Sequence, residues 1–63
     1  LKAMTRKEIK KRICELHEQL QKTDFATTII NRQELETRIQ KMDYRLLVFA
    51  MRFFEALLYP DQE

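Results

Sequence analysis

Apolar residues fall into two runs of helical spacing along this chain. The first is Ile9, Ile13, Leu16 and Leu20, separated by 4, 3 and 4 residues. That is a narrow stripe of the coiled-coil kind. It follows Thr5-Arg6-Lys7-Glu8, which has the form of a capping box, a hydroxyl and then a carboxylate three residues on. Together these predict helix 1 from about Arg6 to about Lys22. The second run is Leu35, Ile39, Met42, Leu46, Phe49, Phe53 and Leu57, spaced 4, 3, 4, 3, 4 and 4. It follows Asn31-Arg32-Gln33-Glu34, a second capping-box pattern, and meets no breaker before Pro60. It predicts one helix from about Asn31 to about Leu58, roughly 40 Å long at about 1.5 Å per residue.

Between the runs lies "TDFATTIIN", residues 23–31, rich in β-branched residues that are poor in helix interiors. It reads as a connection, with Phe25 and Ile29 or Ile30 tucked beneath it. Two helices and a short loop form an antiparallel hairpin. Helix 1 is the shorter, so residues 49–58 are expected to project beyond it.

Those residues belong to "RLLVFAMRFFEALLY", 45–59, in which twelve of fifteen residues are apolar. At about 100° per residue they make two seams. Leu46, Phe49, Phe53 and Leu57 continue the stripe from Leu35. Leu47, Met51, Phe54 and Leu58 lie about 100° round the helix. One helix 1 cannot cover both, and the uncovered seam is a larger apolar patch than soluble monomers usually carry. The expected remedy is a second copy, giving an all-α, dimeric four-helix bundle or a higher oligomer, with Phe49, Phe53, Phe54, Leu57 and Leu58 near the shared interface. Alternatively, Leu47, Met51, Phe54 and Leu58 receive another protein in a helix-in-groove contact.

Composition supports the helical reading and the need for a partner. The chain has no Gly and one Pro. Its 63 residues are one domain, residues 1–3 reading as expression-derived before Met4. A monomer of this size buries only about 60% of the surface its unfolded chain exposes. Cys14 is the only cysteine and His17 the only histidine. An internal disulfide is excluded, and no metal or cofactor is expected. His17 reads as a boundary residue of helix 1 and Cys14 as a bystander. Neither suggests a catalytic site.

No apolar run follows the basic residues 1–12, so no secretory signal is visible, and a cytoplasmic location is expected. A run of fifteen residues, interrupted by Arg52 and Glu55, is short for a membrane span. Membrane association is not expected.

Charge is unevenly placed. Residues 1–12 carry six cations against one carboxylate, +5, and residues 13–63 carry −3. Arg6, Lys7, Lys10, Lys11 and Arg12, joined by Arg45 and Arg52, form a candidate patch for nucleic acid or an acidic protein surface. A small nucleic-acid-binding regulator is therefore the alternative function. A ribbon-helix-helix DNA-binding shape would need a strand at "TTII" and helices starting at Asn31 and Asp43. The seam that runs unbroken through residue 43 argues against it.

Gln33-Glu34-Leu35 resembles part of the Ser-Gln-Glu-Leu-Asp signature of the small two-helix phosphatases acting on bacterial response regulators. Arg32 replaces the serine and Glu36 the aspartate, so no membership is assigned and no enzyme is expected. The expected function is protein–protein interaction, as a small adaptor, inhibitor or chaperone that self-associates.

Overall fold

The computed structural model describes residues 3–23 and 30–60. Among the described residues the structure is all-α, with three helices: α1 (Arg6–Leu20), α2 (Arg32–Gln40) and α3 (Tyr44–Leu58). Of the expected connection, residues 23–31, positions 24–29 with Phe25 and Ile29 lie outside the described residues, and Ile30 is partly buried against the core.

α1 starts where its capping box places it. Thr5 Oγ1 accepts from the Glu8 backbone N–H at 3.1 Å, and Glu8 Oε1 accepts from the Thr5 N–H at 2.8 Å. Two of the free donors of the first turn are thus satisfied reciprocally. α2 starts at Asn31, whose side chain accepts from the Glu34 N–H at 2.8 Å. The Glu34 carboxylate turns instead to Arg38, at 2.8 Å. Only the forward half of that second box forms.

The continuous second helix is not what forms. α2 ends at Gln40, and Asp43 caps a new helix by accepting the Leu46 N–H at 2.9 Å. The predicted two-helix hairpin is thereby replaced by three helices. Asp at this position offers the backbone a local acceptor that competes with helix continuation. The last carbonyls of α2 are met by tight turn bonds, Lys41 N–H to Arg38 and Met42 N–H to Ile39. Arg6 reaches across from α1 and donates to the Met42 carbonyl at 3.0 Å. An N-cap of this kind contributes about 1 kcal/mol. Asp43→Ala is therefore expected to cost about 0.5–2 kcal/mol in urea unfolding. A gain in helicity together with a larger particle would show that α2 and α3 fuse when the cap is lost.

The break changes the direction of the chain. The Ile30 carbonyl lies beside His17 and the Met42 carbonyl beside Arg6, so α2 runs antiparallel to α1. α3 then runs parallel to α1. At its start the Tyr44 hydroxyl donates to the Met4 carbonyl at 2.7 Å, and at its end the Tyr59 hydroxyl donates to Gln19 Oε1 at 3.2 Å. α1 and α3 are both 15 residues long and match end to end, with none of the expected overhang. Their contact is the largest between helices, and α2 adds a smaller one to α1.

This arrangement answers what lies against the apolar run. Ile9, Ile13, Leu16 and Leu20 of α1 are buried with Leu47 and Phe54 of α3 and with Leu35 and Ile39 of α2. Met51 and Leu58 are partly buried against the same core. The seam read as uncovered, Leu47, Met51, Phe54 and Leu58, is thus the one α1 covers. Leu35 and Leu46 would share a face in an unbroken helix, since eleven residues make just over three whole turns. The reset at Lys41–Asp43 lets Leu47 rather than Leu46 follow Ile39 into the core.

Candidate interaction surface

The Cα envelope measures 31 × 30 × 14 Å, a plate about two helices thick. One side of α3 consequently faces outward. Leu46 is 51% exposed, Phe49 64% and Phe53 60%, and Leu57 is partly buried at the edge of the same stripe. Exposed phenylalanines on a helix whose opposite face is fully used by the core are a costly feature. Each leaves much of its roughly 150–250 Å² of side-chain surface in water. Contiguous exposed apolar patches on monomers are often functional.

Two arginines line one flank of the stripe. Arg45 and Arg52 are exposed, seven residues apart, and neither has an ion-pair partner among the described residues. Arg52 and Glu55 could pair across one helical turn, but Glu55 turns to Arg12 of α1, with 3.7 Å between Oε2 and the guanidinium Nε. Tyr44, Arg45, Val48, Phe49 and Arg52 line an open groove of about 480 Å³ along α3. It lies between two rows of residues four apart, Tyr44–Val48–Arg52 and Arg45–Phe49. A groove of that kind is where a ridge of another helix packs.

The structure divides the residues singled out in the sequence. Leu46, Phe49 and Phe53 come together on the outer face of α3, with Leu57 at its edge. Leu47 and Phe54 belong to the core, with Met51 and Leu58 packed on it.

The basic residues differ in their partners. Arg6 is engaged by the Met42 carbonyl, and Arg12 by Glu15 at 3.9 Å and by Glu55. Lys7 and Lys11 are exposed, four residues apart on α1, with Lys10 partly covered. Arg12, lying between the two helices, thus has two carboxylate partners, while Arg6, Lys7, Lys11, Arg45 and Arg52 remain exposed cations.

His17 is the residue the sequence reading misplaced. It is 1% exposed, not a boundary residue, and its ring lies 6.2 Å from that of Phe54. Its Nε2 donates to the Ile30 carbonyl at 2.6 Å. A carbonyl only accepts, so Nε2 carries the proton. The Gln21 amide nitrogen, 3.4 Å from the same atom, faces a proton already committed and adds no bond. His17 Nδ1 is buried without a partner among the described residues. Cys14 is a free, partly buried thiol packed beside the core. Among the described residues, no group of three or more His, Cys, Asp or Glu could hold a metal ion, and no helix is long and apolar enough to cross a membrane.

No family model, no curated protein and no solved structure matches this chain.

Proposed function

We propose that this chain is a protein–protein interaction module that docks through the outer face of α3. The observation that carries this reading is the joint exposure of Leu46, Phe49 and Phe53 on a helix whose other face is already in the core. Aromatic anchors on a regular helix are the residue type and setting that dominate binding energy at protein interfaces. Self-association is one form of this reading. Leu46, Phe49, Phe53 and Ala56 are spaced 3, 4 and 3, the same in either direction, as an antiparallel pair of identical helices requires.

The test is a photo-crosslinking amino acid placed at Phe49 and, as control, at Thr37, which is exposed on α2. A discrete adduct, to this chain or to another protein, is expected from position 49 alone. Equal labelling from both positions, or none, would overturn the reading.

A further inference from the structure

We infer that the natural occupant of the α3 face is an acidic amphipathic helix of another protein, with apolar residues at helical spacing and carboxylates along one flank. The inference rests on the interaction reading above and names the partner chemistry that the face selects. Three observations converge on it.

The groove on α3 has the shape of a helix seat. Its walls are two rows of side chains four apart, and its lining is apolar at Tyr44, Val48 and Phe49. The cations are Arg45 and Arg52, exposed, on the flank of the Phe49–Phe53 stripe and without ion-pair partners among the described residues. Seven residues separate them, two turns of helix, the distance at which one face of a partner helix repeats its side chains. The nearby carboxylate that could have balanced them, Glu55, is engaged by Arg12. The face therefore presents an apolar stripe with one wholly positive edge.

A second copy fits this face in shape but not in charge. Two α3 helices paired antiparallel would place Phe49 against the partner's Phe53 and Leu46 against the partner's Ala56. In that register Arg52 lies close to the two-fold axis and meets Arg52 of the partner subunit. In an antiparallel pair the same flank of each helix faces its copy, so Arg45 falls on that same edge, and no free carboxylate of α3 is there to separate the charges. Opposing like charges discriminate against such a pairing. An acidic helix replaces repulsion with attraction at the same positions.

The experiment uses the whole chain and a designed helical peptide about five turns long. The peptide carries Leu at i, i+3, i+4 and i+7 spacing and Glu along one flank. Two sister peptides carry Gln or Lys in place of Glu. Binding is measured by fluorescence anisotropy at low and high salt, beside solution mass by light scattering. The Glu peptide is expected to bind about tenfold more tightly than the Gln peptide, which corresponds to two exposed ion pairs. The difference should shrink toward nothing in about 1 M salt. The double charge reversal Arg45→Glu with Arg52→Glu, both at exposed positions, should make the Lys peptide the tighter binder. Phe49→Asp with Phe53→Asp should abolish binding of all three.

Equal binding of the Glu and Gln peptides would overturn the acidic partner while leaving the α3 face as an interface. So would a stable homodimer that Phe49→Asp with Phe53→Asp dissolves. A monomer that binds none of the peptides would overturn both readings. Binding of anionic vesicles or of RNA that depends on Arg45 and Arg52, with no discrimination among peptides, would also overturn the inference.

Discussion

Phe54→Asp is expected to unfold this protein and Phe53→Asp to leave it folded, although the two residues are neighbours. Phe54 is 8% exposed, belongs to the buried core and has its ring 6.2 Å from that of His17, whereas Phe53 is 60% exposed on the outer face of α3. Truncating a buried Phe costs about 3–5 kcal/mol. Leaving a carboxylate in its place adds several more or forces it to remain protonated. A core of this size supplies only about 3–5 kcal/mol in total. The folded state of Phe54→Asp is therefore not populated. Substitution at Phe53 loses little packing and costs roughly the 0.5 kcal/mol typical of surface positions. Far-UV circular dichroism with urea unfolding of both variants makes the comparison. Loss of helicity in Phe53→Asp would mean that Phe53 supports the fold, either in the single chain or across a self-associated interface.

The same contrast marks how far the sequence could be read. Helix α1, its capping box and the helix start at Asn31 were legible because each depends on residues within one turn. The break at Asp43 was not. Leu35, Ile39, Met42 and Leu46 keep helical phase straight across it, so periodicity sees no interruption. The local signal is the Asp43 side chain three residues before Leu46, and Asp is also tolerated on a helix surface. The ribbon-helix-helix alternative set helix starts at Asn31 and Asp43, and those are the two caps observed. What decides between continuing and breaking is tertiary. A broken chain returns α3 alongside α1 and buries Leu47 and Phe54, which an extended helix would leave in water.

The candidate surface was legible in kind but not in membership. Two seams on one helix and one helix to cover them imply that one stays open, and that arithmetic holds. Both seams contain two Leu, beside two Phe in the first and a Met and a Phe in the second, so composition cannot rank them. The phase reset between α2 and α3 ranks them. Arg45 and Arg52 were visible in the sequence as members of a candidate basic patch. Their lack of counter-charge was not, because Glu55 lies within reach of Arg52 by spacing and pairs with Arg12 only once α1 lies alongside.

His17→Ala is expected to destabilise the protein by about 2–4 kcal/mol, the cavity left by a buried ring plus a carbonyl without its donor. The Ile30 carbonyl stands just before α2, and Nε2 of His17 ties it to α1 at 2.6 Å. α2 is only nine residues long and buries just Leu35 and Ile39. Its other supports are the Asn31 cap, the Arg6 bond to the Met42 carbonyl beyond its end, and two exposed ion pairs, Arg32 with Glu36 and Arg38 with Glu34, worth about 0.3–0.5 kcal/mol each. A helix so weakly held depends on its anchor at entry, and α2 in turn sets where α3 begins. Hydrogen exchange then separates two roles of the imidazole. If the bond to Ile30 is the anchor, His17→Leu restores the packing against Phe54 yet still leaves α2 amides less protected than in the parent. If the ring serves only as filling, His17→Leu recovers full protection across α2, and the account of His17 as the tie between α1 and α2 is wrong.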